Sequence, residues 1–575
     1  MENQYFYVSH KTGTYADALE AVGLAYLLDI LMPKNVERIK NIGDCYQITL
    51  RKAKALDSWH FDRLQAAPGY PYFKTSKDHT VPEGYLFYDY EKEREKEKRY
   101  WENAKKTCLR QENILEPHPK HSLLKNLYIM QAFHSHNRLL HELSQVEPQS
   151  FRETIKANVQ RYTITSIGNN VETGFSRGQE DTKRKHKVFS PSLAAVQALN
   201  PIVGKGFNRS KPKGTGLATV PSAYVDWFTE YLRYIAIHRI ANAYNIHDDI
   251  KITVLVPANV TLEELDQLSH HFTRIPHYQK SSCQIDIQNS LAMTSEIVKD
   301  LFSSLDVGVE KQHKSPQQYI AALSTAYFKS LGTGKGLLNV STIGLPTWFS
   351  IETLQDKELW LQIAREHRSI LERLREERLE EAELLFQYRD FLSTGKSITL
   401  LHFAVAYGIF VFHEMSRDSK KILERLREEL LSKLVISLNR RYSDIINNPG
   451  FQAVANAIRR ATVSEQYRRA RQQDRKPRPY YEVHYTLLTD LKRKAGSKKD
   501  AIARLSDFIS AYNFENARIT EIIARSPDSF RDEEIMRRPS ITDQEITQLI
   551  HLIDDFGSEP VIVLLIAYGS AKKEG

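Results

Sequence analysis

Four stretches of this 575-residue chain carry residue types that could do chemistry. His247-Asp248-Asp249 offers an imidazole and carboxylates of the kind that hold a catalytic metal. Such a centre draws further ligands from other segments. Here the doublet leads directly into an alternating stretch, residues 250–256, and reads as a turn entering a strand. Leu331-Gly332-Thr333-Gly334-Lys335-Gly336 imitates a phosphate loop, but the lysine is followed by Gly336 and Leu337. No hydroxyl is placed for magnesium, and the glycine spacing is too short. Histidines gather at His118, His121, His134, His136 and His141. His134 and His136 would stand about 200° apart on a helix, without accompanying acids, so no shared ligand face forms. His270, His271 and His277 fall in a connection without ordered acid spacing. The expectation is a chain without catalytic residues, metal or cofactor.

Charge gives the stronger signal. From Arg459 to Lys499 there are thirteen Lys/Arg against four acids, Glu465, Asp474, Glu482 and Asp490. A merely solvated face mixes signs more evenly. The first group is Arg459, Arg460, Arg468, Arg469, Arg471, Arg475, Lys476 and Arg478. A tyrosine link, Tyr480, Tyr481 and Tyr485, separates it from Lys492, Arg493, Lys494, Lys498 and Lys499. Such a face suits a phosphate backbone. Further upstream lies Gly168-Asn169-Asn170 with Gly174-Phe175-Ser176-Arg177-Gly178. A basic tract follows at Lys183, Arg184, Lys185 and Lys187, and then Lys205-Gly206-Phe207-Asn208-Arg209 and Lys211-Pro212-Lys213-Gly214. Glycine lets backbone approach a ligand closely, and Asn, Arg and Lys supply donors for base edges and phosphates. A flexible surface loop has the same composition.

The elements that must position these residues fall into two regions. Residues 5–7 read as a strand, residues 18–28 as an apolar helix stopped near Pro33, and residues 36–50 as a hairpin turning at Asn41-Ile42-Gly43-Asp44. Residues 66–74 read as a loop, and 91–106 as a charged, solvated helix. Strand signals fade after Pro346, and the domain boundary is set near Ser350, giving domains 1–350 and 351–575. The octet Ile-Leu-Glu-Arg-Leu-Arg-Glu-Glu occurs at 370–377 and 422–429, and both copies read as ion-paired helix. Residues 400–412 are apolar almost all round and predict a buried helix. Phe451, Val454, Ala455, Ile458 and Ala461 share a helical stripe, with Arg460 opposite. Ile502, Leu505, Phe508 and Ile509 mark another amphipathic helix. Thr542 to Glu545 forms a capping box, Gly557 ends that helix, and residues 560–568 form an apolar helix. The expected fold class is α+β: a mixed α/β domain, then an all-α bundle.

Bulk composition agrees with an anionic partner. The formal net charge is +9, with 41% hydrophobic and 26% charged residues. Three scattered cysteines, Cys45, Cys108 and Cys283, fit a reducing cytoplasm better than a disulfide framework. No signal-peptide pattern opens the chain, and no apolar run suggests a membrane span.

Several of these stretches resemble one family, in order. Asp17-Ala-Leu-Glu-Ala-Val-Gly23 is similar to the first helix of the large subunit of type I CRISPR Cascade complexes, Cas family eight of the a/b-like kind. Gly204-Lys205-Gly206-Phe207-Asn208-Arg209…Lys213, with Pro221…Trp227-Phe228-Thr229-Glu230, resembles its central motif. Phe451-Gln-Ala-Val-Ala-Asn-Ala-Ile-Arg459-Arg460-Ala-Thr462, then Tyr485…Leu491-Lys492-Arg493 and Phe508…Tyr512-Asn513, resemble its C-terminal helical region. The resemblance implies a non-enzymatic subunit whose N-terminal domain recognises the protospacer-adjacent motif on duplex DNA, helps open it and contacts the guide's 5′ end. It carries that role onto Asn169, Asn170, Arg177, Lys205, Asn208, Arg209, Lys211 and Lys213. The C-terminal bundle, which resembles the Cascade small subunit, would guide a DNA strand and stabilise the R-loop with Arg459, Arg460, Arg468, Arg469, Arg471, Lys492 and Arg493. Implied partners are guide RNA, target double-stranded DNA, the backbone, five-prime-handle and small subunits, and a helicase–nuclease or, in transposon systems, a targeting protein. Two alternatives stand beside it: a metal-dependent nuclease using His247 and Asp248, and a nonspecific single-strand binder whose tyrosines stack bases.

Overall fold

The computed structural model describes residues 2–66, 71–76, 80–109, 127–163, 196–203, 226–274, 281–300, 315–331, 335–417, 423–466, 481–525 and 537–573. Asn169, Asn170, Arg177, Lys205, Asn208, Arg209, Lys211, Lys213, Arg468, Arg469 and Arg471 lie outside them. The chain divides into two units, Met1–Pro346 and Thr347–Gly575, within a few residues of the change in character at Ser350. The first mixes strands and helices and the second is almost entirely helical, an α+β architecture.

In the first unit, β1 (Glu2–Ser9) feeds α1 (Tyr15–Leu31). The Thr14 hydroxyl caps α1 by accepting from the Ala16 amide. β2 (Val36–Asn41) and β3 (Cys45–Ala55) form the expected hairpin. After α2 (Phe61–Ala66) come β4 (Tyr72–Lys74) and β5 (Phe87–Asp89), which pair in parallel. The segment read as a loop therefore ends in a strand, anchored where Asn137 exchanges two hydrogen bonds with the Phe73 backbone. Then follow α3 (Tyr90–Leu109), α4 (Leu127–Ser144), α5 (Pro148–Gln160) and α6 (Trp227–Ile240). β6 (Ala241–Ile246), β7 (Asp249–Pro257) and β8 (Asn259–Val260) precede α7 (Leu262–Arg274) and α8 (Ser282–Asp300). β9 (Ile320–Ser330) and β10 (Lys335–Gly344) close the unit. One sheet runs β1-β3-β2-β8 and the other β10-β9-β7-β6, with every pairing antiparallel.

The centre of this unit is the crossing of α1 and α6, both apolar around most of their circumference and so buried on several sides. A Cβ on Gly23 would stand 1.9 Å from the Leu232 carbonyl oxygen, so only glycine lets the backbones meet this closely. A charge network crosses the same contact. Arg233 pairs with Glu20 at 3.1 Å and Glu230 at 3.0 Å, and the Tyr162 hydroxyl donates to Glu20 at 3.0 Å. Burial alone would lower the Arg233 pKa, but the two carboxylates outweigh it and raise it.

The second unit opens with Trp348 stacked on Trp360, ring centres 4.4 Å apart. Its helices are α9 (Leu354–Glu372), α10 (Leu379–Thr394), α11 (Ser397–Ser416), α12 (Glu428–Leu438), α13 (Tyr442–Ile446) and α14 (Pro449–Arg459). A π-helical turn, Arg460–Ser464, extends α14. Then come α15 (Leu487–Lys494), α16 (Lys498–Arg525), α17 (Asp543–Phe556) and α18 (Ser558–Ser570). The Thr542–Glu545 capping box forms reciprocally, and Gly557 (φ 88°) breaks the chain between α17 and α18. α11 is long and apolar enough to cross a bilayer, yet 61% of that stretch is buried in this fold. α18 is buried on nearly every face.

The repeated octet corrects the reading of two helices. The first copy straddles the end of α9 at Glu372 and a turn before α10. In the second, described from residue 423, residues 423–427 have no helix, and α12 begins only at its last two residues, Glu428 and Glu429. Tertiary contacts override helix propensity here. Leu374 and Leu426 are buried, Arg373 pairs with Glu424 at 2.6 Å, and Arg427 donates to Glu366 from its amide (2.8 Å) and guanidinium (3.1 Å).

Candidate nucleic-acid interface

α14 buries the predicted stripe: Phe451, Val454, Ala455, Ile458 and Ala461 are all in the core. Its last residue, Arg459, was assigned to the basic outer face, and the structure corrects this. The side chain is buried. Its Nε donates to the Ala571 carbonyl at 3.0 Å, and Nη1 to Asn456 Oδ1 at 2.7 Å. Nη2 reaches both Glu428 and the Tyr568 carbonyl. At the end of α18 the Tyr568 carbonyl already accepts from the Ala571 amide at 3.3 Å, and the buried guanidinium adds a second donor to it and serves the Ala571 carbonyl. Burial lowers the Arg459 pKa and Glu428 opposes the shift. Arg459 is thus a cross-brace, and its donors are directed inward.

Beyond it the π-turn changes the helical phase, so a 3.6-residue projection does not carry past Arg460. Arg460 is half-buried, and its carbonyl accepts from Arg538 at 2.7 Å. Arg538 is a second internal brace that the sequence reading missed. It pairs with Glu465 at 3.0 Å and lies 3.7 Å from the centre of the Tyr481 ring. Tyr481 is therefore buried under a guanidinium. Tyr485 stacks on Phe412 and donates to Gln466 at 3.0 Å. Tyr480 lies outside the described residues. Tyr481 has no open face for a base, whereas Tyr485 stays exposed on the side away from Phe412.

The exposed positive charge sits at the α15–α16 corner. Leu487, Leu488, Leu491 and Ala495 bury one side of it. Ser558 Oγ donates to the Ala495 carbonyl at 2.7 Å and fixes the turn to α18. On the solvent side stand Lys492, Arg493, Lys498 and Lys499, with Lys494 half-exposed. Arg493 pairs with Asp490 at 2.9 Å, and Lys498 pairs with Asp554. Among the described residues Lys492, Lys494 and Lys499 have no ion-pair partner. Lys492 and Lys494 lie at the carboxyl end of α15, where cations complement the helix dipole. Lys498 and Lys499 lie at the amino end of a 28-residue helix, where the dipole opposes them. Asp554 pairs with Lys498 and Asp500 shares that first turn, so the charge without an ion-pair partner at this corner is that of Lys492, Lys494 and Lys499. Such a corner attracts phosphate but has no geometry for reading base edges.

The other sequence candidates resolve as turns or core. His247 and Asp248 are the two-residue turn between β6 and β7, with His247 at φ 55°. The Asp248 carbonyl accepts from Lys335, and Asp249 accepts from Tyr327 (2.6 Å) and the Ser330 amide (2.7 Å). The glycine-lysine stretch joins antiparallel β9 and β10, whereas a nucleotide loop joins a strand to a helix. His136 is buried with its ring 4.5 Å from that of Tyr234, and burial lowers its pKa to about 3. His271, discounted in the sequence, lies beside Glu296 and Asp300. Those acids are 25 and 29 positions away, so only the fold reveals the grouping; their i, i+4 spacing on α8 was the available hint.

The chain matches no known family and no curated protein.

Proposed function

We propose that this chain is the non-catalytic large subunit of an RNA-guided DNA-surveillance complex of the type I Cascade kind. The observation that carries the nucleic-acid part is the α15–α16 corner, where Lys492, Lys494 and Lys499 have no ion-pair partner among the described residues and stand on a buried footing. The succession of a mixed α/β unit and a helical unit supports the reading, as does the order of the motifs that resemble that family. In this reading the first unit, with its Gly/Asn/basic segments, recognises the adjacent motif and helps open the duplex, as other RNA-guided effectors do. The helical unit holds a strand of the R-loop. Partners are guide RNA, target duplex, the backbone, five-prime-handle and small subunits, and a helicase–nuclease or transposon-targeting protein, in the cytoplasm and without a membrane.

The test is binding by the assembled complex to duplexes differing only beside the target. A preference for particular flanking bases is expected; indifference overturns the reading. Reversing Lys492, Arg493, Lys494 and Lys499 to Glu is expected to weaken binding and flatten its salt dependence, by about 0.9 in log–log slope for each phosphate that is no longer neutralised. An unchanged slope would assign the corner to protein contacts. For the nuclease alternative, magnesium-dependent cleavage that disappears in Asp248→Ala would replace the non-catalytic reading.

A further inference from the structure

We propose that the first unit binds a divalent transition-metal ion between α7 and α8, through His271, Glu296 and Asp300. One donor atom from each residue lies within 4.8 Å of the others. His271 Nε2 is 2.7 Å from Asp300 Oδ2, and Nδ1 is 3.6 Å from Glu296 Oε2. The two carboxylates approach different ring nitrogens, so an ion held by one nitrogen at about 2.0–2.2 Å requires the other carboxylate to swing round to it, a rotation open to side chains that are each a quarter to a third exposed.

Two features favour an ion over a plain hydrogen-bonded cluster. Glu296 and Asp300 stand four residues apart in the last turns of α8, where they repel each other and meet the negative end of the helix dipole. Lys299 holds Glu296 Oε1 at 2.9 Å, which leaves Oε2 turned to the imidazole. An imidazolium would serve both carboxylates with a single positive charge, whereas a divalent ion brings two to the pair. The mixed nitrogen and oxygen donors select a first-row ion such as Zn²⁺ over Mg²⁺ or Ca²⁺, which prefer oxygen alone. The remaining coordination positions face solvent. The ion ties the end of α7 to the end of α8 and adds stability in proportion to its occupancy.

Calorimetric titration of the chelator-treated full chain with ZnCl₂ tests this, with thermal unfolding as a second readout. The wild type is expected to take up a tight equivalent of Zn²⁺ and to melt at a higher temperature with it. His271→Ala, Glu296→Gln and Asp300→Asn are expected to lose at least about tenfold in affinity and the thermal shift. His270→Ala, which changes the exposed neighbour, keeps both. Circular dichroism identifies any variant that fails to fold, and the isosteric Gln and Asn replacements keep the test decisive. Unaltered affinity in the folded variants, or no uptake by the wild type, overturns the proposal.

Discussion

Arg459 shows how far a basic residue's type falls short of its role. Its neighbours in sequence suggest a phosphate contact, while its donors go to Glu428 and the end of α18. Arg459→Ala strands the largely buried Glu428 carboxylate and removes the donor to the Ala571 carbonyl, and is expected to destabilise the helical unit by about 3–5 kcal/mol. Urea unfolding measures this; a DNA-binding residue would instead lower affinity and leave the midpoint unchanged. His367 gives a prediction in pH. It is buried with Nδ1 2.8 Å from the Tyr388 hydroxyl, and burial lowers its pKa to about 3. The unfolded chain, with a histidine pKa near about 6.5, then binds the proton that the native state refuses. The contribution is complete above the unfolded value and is lost as pH falls toward the folded one. Stability should fall by up to about 1.4 kcal/mol per pH unit in that window. Denaturant titrations at a series of pH values check this, and His367→Gln should shallow the slope.

At the scale of elements, the same sequence features were legible or not for physical reasons. α11 and α18 could be read because an apolar helix has no choice but burial, and the α17 capping box because its partners are three residues apart. The corner lysines were legible as charge, though only the fold separates Lys492 and Lys499 from the inward Arg459. The octets misled because local propensity cannot anticipate Glu366 and Glu424 drawing the chain out of helix. The grouping of His271 with α8 depends on packing between helices and leaves little trace in sequence. The α1–α6 crossing gives a test at this scale. Gly23→Ala should gain about 1 kcal/mol of helix propensity. It would also drive a Cβ into the Leu232 carbonyl, a backbone atom that cannot rotate aside. Overpacking of about 1–3 kcal/mol or more wins, so net destabilisation is expected in thermal unfolding.

For the whole molecule, the division at Pro346/Thr347 separates two cores, each built from its own elements. A polypeptide beginning at Thr347 is therefore expected to fold alone, with helical circular dichroism and a cooperative urea transition; a non-cooperative one would count against independence. The position of α18 adds a temporal consequence. It packs against α11, α14, α15, α16 and α17, and Arg459 waits for its final carbonyls. During synthesis, the first unit can mature while the rest is still being translated. The helical unit must wait with its interior open until residue 570 clears the ribosome, a period when chaperones would have most to protect.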